Sequence, residues 1–184
     1  MPNAILDPTG AVATSAAQPA APMAPRPASL NGKRVGLLIN TKLNARPFLE
    51  EVGRLLTEQY GVSVTKRTKQ NFAVPETEDV IKEMAATSDV IVTGVGDCGS
   101  CSAAAAADGV VFEAAGVPVA VIVTDSFRAT ADAMAALRGA PGYRYATTAH
   151  PVAVLTEDKV KQRAAQVLDD VVALLVDEPA KDEA

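Results

Sequence analysis

The sequence predicts an α/β domain built on a parallel sheet, and two observations carry that expectation. Short segments of strand length, rich in Val and Ile, alternate along the chain with longer segments whose apolar residues recur at helical spacing. Most of the strand segments are apolar throughout rather than at every second position, as strands covered on both faces must be. Five such units suggest a flavodoxin-like doubly wound parallel sheet in a single domain, with strand order 2-1-3-4-5.

The elements follow in order. Arg34 to Ile39 is a continuous apolar run of buried-strand type. Pro47 to Tyr60 follows as a helix with Phe48, Leu49, Val52, Leu55 and Leu56 on one face, stopped by Gly61. Val62 to Lys66 alternates as a short second strand, and Pro75 to Ala86 reads as a helix burying Val80, Ile81 and Met84. Asp89 to Thr93 is the third strand, and an Ala-rich helix from Ser100 to Ala115 ends at Gly116. Val117 to Val123 is the fourth strand, and Ser126 to Leu137 the helix after it. A turn at Gly139 to Gly142 precedes a fifth strand within Arg144 to Leu155. The last helix opens at Thr156, whose hydroxyl suits an N-cap, with Glu157 and Asp158 against the positive helix end. Its apolar face runs from Val160 through Ala164, Val167, Leu168 and Val171 to Leu175.

Composition narrows the function classes. A chain of 184 residues with 48% hydrophobic and 21% charged residues can bury the core of one domain. Residues 1–30 are dominated by Ala and Pro and are expected to be a disordered tail, leaving 31–176 as the domain and 177–184 as a charged tail. Pro8, Pro19, Pro22, Pro25 and Pro27 break any secretory h-region, and no apolar run nears the ~20 residues of a membrane span, so a cytoplasmic, membrane-free protein is expected. The net charge of −5 argues against a nucleic-acid partner, which needs clustered cations to release counterions. The one basic cluster, Lys66-Arg67-Thr68-Lys69, reads as a solvated strand end.

Chemistry concentrates in Thr93-Gly94-Val95-Gly96-Asp97-Cys98-Gly99-Ser100-Cys101-Ser102. The two cysteines are too few for a disulfide scaffold and too close for a bridge that restrains much chain, so their spacing points to reactivity. At the first turn of a helix, free N–H groups and the helix dipole favour a thiolate at Cys98. Cys101 is three residues on, within reach of a disulfide or of an adduct on Cys98. Asp97 or Ser100 can cap the helix; for Asp97 the cap is preferred over a proton-carrying role. Two Cys and one His leave a four-ligand zinc set incomplete, so neither a metal nor another cofactor is expected.

A doubly wound sheet binds ligands beyond the carboxyl ends of its strands. Asn40, Lys42 and Asn44 after the first strand, Gly96, Asp97, Gly99 and Ser100 in the motif, and Thr124 and Ser126 after the fourth strand are therefore candidate substrate-binding residues. His150, the single histidine, lies near the end of the fifth strand and is the candidate acid–base. Gly94 to Gly99 also fits a dinucleotide-binding Gly-x-Gly-x-x-Gly with Asp125 as the ribose acid. The motif's place on the third strand and the distance to Asp125 weigh against that reading.

The same residues resemble the UGSC family, whose signature carries selenocysteine or cysteine at the first position of U/C-Gly-Ser-Cys. Asn40-Thr41-Lys42-Leu43-Asn44 resembles that family's Asn-Ser-Lys-Pro-Asn, with Leu43 in place of Pro. Gly116-Val117-Pro118, Val123-Thr124-Asp125-Ser126-Phe127 and His150-Pro151 resemble later family segments, and Ser102 stands where Thr is frequent. The resemblance implies that Cys98, at the selenocysteine position, is the attacking atom. More distantly, the family resembles the substrate-cleaving selenoprotein component of glycine reductase.

Three functions are therefore expected, in order. The first is a thiol-dependent enzyme in which Cys98 attacks a small molecule, Cys101 resolves the adduct as a disulfide, and a thiol reductant resets the pair. The second is a hydrolase or transferase with a Cys98 covalent intermediate and His150 as acid–base. The third is a non-catalytic subunit or sensor that binds a partner, or a dinucleotide-binding module. A homo-oligomer or a subunit of an assembly is the expected state.

Overall fold

A computed structural model describes residues 23–177; the expected tails over 1–22 and 178–184 fall outside the described residues. Strands β1 (Arg34–Ile39), β2 (Ser63–Thr68), β3 (Val90–Gly96), β4 (Val119–Thr124) and β5 (Ala146–Thr148) form one five-stranded sheet in the order β2-β1-β3-β4-β5. Every pairing is parallel. Helices α1 (Ala45–Tyr60), α2 (Glu78–Thr87), α3 (Gly99–Ala114), α4 (Arg128–Leu137), α5 (Glu157–Gln166) and α6 (Leu168–Leu175) connect and cover it. The domain has the flavodoxin-like architecture and strand order expected from the sequence.

Successive strand residues point to opposite faces, and in β1, β3 and β4 both faces are buried, which is why these strands read as unbroken apolar runs. Val35, Leu37, Ile39, Val90 and Val92 face Phe48, Leu49, Val52 and Leu56 of α1 and the buried side of α5 and α6. Leu38, Ile91, Val119, Val121 and Val123 face Ile81 and Met84 of α2, Phe112 of α3, and Ala131 and Ala135 of α4. The Ala-rich stretch of α3 is part of this contact: a Cβ at Gly109 would stand 2.5 Å from Val121 Cγ2. Small side chains let the helix lie close to the sheet.

Four differences from the sequence reading bear on function or stability. Strand β3 runs on to Gly96, so two of the motif's glycines belong to the sheet rather than to a loop. The last helix divides at Val167 into α5 and α6, and each half buries its own apolar face. Lys69 is not solvated: it is buried in an ion pair with Asp108 of α3. Lys66 and Arg67 do behave as strand-end charges, pairing with Glu50 and Glu83 on the surface.

The fourth difference lies at the expected tail. Its end packs onto the domain: Leu30 and Ala24 are buried, and Arg26 reaches Glu113 at the end of α3. The Glu113 carboxylate, 1% exposed, accepts two bonds from the Arg26 guanidinium (2.6 and 2.8 Å), one from Ala24 N (2.8 Å) and one from Val119 N (3.0 Å). Ala and Pro composition concealed this, because a single arginine and a single leucine provide the attachment. Removing one partner of a buried pair typically costs about 3–5 kcal/mol, and two backbone donors remain on Glu113. Arg26→Ala is therefore expected to destabilise by about 3 kcal/mol in urea unfolding. A change below about 0.5 kcal/mol, as at an ordinary surface site, would show that this segment contributes nothing.

Candidate functional site

The carboxyl end of β3 is built by its glycines. Thr93 pairs with Val121 but Gly96 with Val123, so β3 spends three steps where β4 spends two, and the strand bulges just before the cysteines. Gly94 has φ +154°, and a Cβ there would lie 2.8 Å from the Ile122 carbonyl oxygen. At Gly96 a Cβ would stand 2.7 Å from Ser102 Oγ and 2.8 Å from Val123 Cγ1. These glycines thus serve close packing of β3 against β4 and α3. Of the motif's glycines Gly94, Gly96 and Gly99, Gly99 alone has open space at its Cβ position. The Gly94–Val95 and His150–Pro151 peptides are cis.

Helix α3 is capped by Cys98 itself. Its backbone is extended (φ −160°, ψ 169°), and its sulfur accepts from the Cys101 amide at 3.2 Å. Ser102 Oγ donates to the Cys98 carbonyl at 2.8 Å, and Ser100 Oγ lies 3.6 Å from the sulfur. Cys98 and Cys101 are joined by a disulfide, with Cα atoms 5.2 Å apart. Cys98 is half-buried, whereas Cys101 is 1% exposed. Access to the pair is from the Cys98 side.

Asp97 is not the cap that the sequence suggested. Its side chain, 2% exposed, turns instead toward the loop after β5. There Oδ2 accepts from Val152 N (3.0 Å) and Ala153 N (2.8 Å). The other oxygen, Oδ1, lies 2.9 Å from His150 Nδ1. That approach has the distance of an ion pair without the in-line angle of a hydrogen bond, and no hydrogen-bond donor serves Oδ1. The contact is thus electrostatic.

His150 is one-third exposed, at 34% of its side chain, and is framed on several sides. Thr124 Oγ stands 3.2 Å from Nδ1 and donates to the Gly96 carbonyl at 3.1 Å. The His150 amide donates to Asp125 Oδ1 (3.1 Å), and the Phe127 ring meets the imidazole edge-on at 5.4 Å. Loops after β3, β4 and β5 therefore converge as the topology requires: Gly96, Asp97, Thr124 and His150 are in contact, and Cys98 follows Asp97 directly.

The remaining candidates divide. Asn40 ties β1 to β3, donating from Nδ2 to the Val95 carbonyl (2.8 Å) and accepting from Lys42 N (3.0 Å). Asn44 is in the left-handed region (φ +66°), and its Nδ2 donates to the carbonyls of Val152, Ala153 and Leu155 at 2.9–3.2 Å. Both asparagines thus hold the framework under the site. The Lys42 ammonium stands over the Phe72 ring, 5.0 Å from its centroid. Ser126 is exposed, with Oγ 3.4 Å from Asp125 Oδ1, and Ser100 is exposed at the helix start.

Asp125, the ribose acid of the dinucleotide reading, is engaged with the His150 backbone. Sequence reasoning named Asp97 as a candidate but missed its burial against the loop after β5, and it missed the Phe127 contact with His150. The usable signal was topological, since loops after β3 and β5 can meet over the end of β4. Among the described residues, no group of three His, Cys, Asp or Glu side chains is placed to hold a metal ion. No helix among them is long and apolar enough to cross a membrane.

A Cys-x-x-Cys disulfide capping a helix at the carboxyl edge of a flavodoxin-like sheet defines the site's class. A family model described as the UGSC family matches residues 4–177, and the chain belongs to that family. No curated protein matches the chain. A solved structure described as an ABC transporter permease from the Pseudomonas fluorescens group is similar at 16% identity and a TM-score of 0.40. That match covers 81% of this chain and 34% of the other, so this chain spans about a third of that protein's length.

Proposed function

We propose that this protein is a thiol-dependent enzyme acting on a small molecule, with Cys98 as nucleophile and Cys101 as resolving thiol. The observation that carries the reading is the bonded Cys98–Cys101 pair with only Cys98 open to approach. In the dithiol form, the Cys101 amide that reaches the Cys98 sulfur and the start of α3 favour the thiolate there.

The reductive cycle balances as follows. The Cys98 thiolate attacks the electrophilic atom of R–X, forming S–R while X leaves with the bonding pair and takes a proton. Cys101 then attacks the Cys98 sulfur, the disulfide forms, and R leaves with the S–R pair to be protonated to R–H. The substrate gains two electrons and two protons, the dithiol loses them, and an external thiol reductant restores it. His150 is the proton carrier of this scheme. The second reading is a hydrolase or transferase whose Cys98 adduct is cleaved without Cys101; the framed imidazole at the same edge supports it.

Cys101→Ser separates the two. With a small aromatic disulfide as the electrophile, the reduced native protein should release two thiol equivalents per chain and end as the Cys98–Cys101 disulfide. The variant should release one equivalent and stop as a mixed disulfide on Cys98, seen as an added mass on that peptide. A variant that keeps the native stoichiometry, or carries its adduct elsewhere, would remove Cys101 from the resolving role.

A further inference from the structure

We infer that Asp97 and Thr124 are positioning residues that fix the neutral His150 ring as its Nδ1–H tautomer, leaving Nε2 as the atom that accepts the proton. The inference rests on the reading of His150 as the proton carrier, and it names the atoms that reading leaves open.

The argument is a count of donors and acceptors. The Thr124 hydroxyl has one proton. Its oxygen lies 3.1 Å from the Gly96 carbonyl oxygen, which can only accept, so the proton is committed there. Toward His150 Nδ1, at 3.2 Å, Thr124 can then offer only a lone pair. An ionised Asp97 also offers only lone pairs, and its Oδ1 sits 2.9 Å from the same nitrogen. Two acceptors facing one ring nitrogen require that nitrogen to carry the hydrogen. An Nε2–H tautomer would instead set the Nδ1 lone pair against both oxygens, one of them on a buried carboxylate.

The surroundings hold this arrangement in place. Asp97 cannot easily swing away, because Oδ2 is fixed by the Val152 and Ala153 amides. The His150 backbone is held by Asp125, and the Phe127 ring sits edge-on to the imidazole. Asp97 Oδ1 has no hydrogen-bond donor, and His150 Nδ1 stands 2.9 Å from it. A carboxylate that orients a histidine and stabilises its cation is a recurring catalytic device, and exchanging it for an amide changes rates by up to about 10⁴-fold through the wrong tautomer. Here the carboxylate immediately precedes the nucleophile in the chain, so one backbone segment places both.

The protein's single histidine makes the test direct. Long-range ¹H–¹⁵N correlation on uniformly labelled protein, taken above the imidazole titration, reads the tautomer without knowledge of the substrate. The expected spectrum has Nδ1 protonated and Nε2 as the lone-pair nitrogen, by at least tenfold in population. A ring protonated on Nε2 in the native protein would overturn the inference. Asp97→Asn can keep the Val152 and Ala153 contacts through its carbonyl and turn its NH₂ toward His150, so the tautomer should invert; an unchanged tautomer would remove Asp97 from the positioning role. If that variant does not fold, Thr124→Val and Thr124→Ser carry the test: with Asp97 still in place the Val variant should weaken the tautomer preference and the Ser variant keep it, and equal spectra would remove Thr124. Thiol alkylation on the same samples reads the parent proposal separately. An Nδ1–H ring beside an unreactive Cys98 would leave the tautomer inference standing and remove the thiol reading.

Discussion

Cys98→Ser is expected to slow reduction of a small aromatic disulfide by the reduced protein on the order of 10⁴-fold or more, the scale on which removing a nucleophile acts. The variant separates chemistry from folding. Ser is a favoured N-cap residue, and its hydroxyl can accept the Cys101 amide as the sulfur does, so α3 should start as before. Loss of the disulfide closes no long loop and should alter stability little, since the two cysteines are only three residues apart. Cys101 remains, but it is buried and cannot take over the attack. Activity within tenfold of native would place the nucleophile at Cys101 and reverse the two roles.

Lys69→Met should produce the largest loss of stability, about 3–5 kcal/mol, because it strands the buried Asp108 carboxylate without its counter-charge. Asp108 already carries the conflict of its site. Burial pushes its carboxyl up from the ordinary range, while the Lys69 ammonium and the Glu76 amide, 2.6 Å from Oδ1, pull it down. The pair ties the segment after β2 to the helix that begins at Cys98. For a domain of this size the loss is of order 10 °C in Tm. The double variant Lys69→Met, Asp108→Asn should recover most of it, since no buried charge is left and the amide oxygen can still accept from Glu76 N. A double variant as unstable as the single would show that Lys69 acts through packing rather than charge.

The fold was legible because its determinants are local and repetitive. Unbroken apolar strands such as Val119 to Thr124 can sit only in a sheet covered on both faces, and helices between them require parallel crossovers. Gly61 ending α1 and the apolar stripe from Val160 to Leu175 read directly as a stop and a buried face. The position of Cys98 at a helix start was likewise visible in the motif. Long-range polar contacts were not. Asp97 next to a helix start looks like a cap, and only the fold shows it reaching 55 residues along the chain to Val152. Lys69 looked solvated because its partner lies 39 residues away in an Ala-rich helix. Arg26 lay in Ala- and Pro-rich sequence that gave no sign of Glu113. In each case hydrophobic periodicity carries no information about which charges meet.

The central claim is that Cys98 is the activated thiol and Cys101 its buried partner. The measurement that tests it most directly is the pH dependence of alkylation at each cysteine in the freshly reduced protein, followed by peptide mass spectrometry. Cys98 should alkylate first, with an apparent pKa below the ordinary thiol value of about 8.5, and Cys101 should lag at every pH. Equal rates at the two cysteines, rising only above pH ~8.5, would contradict the account.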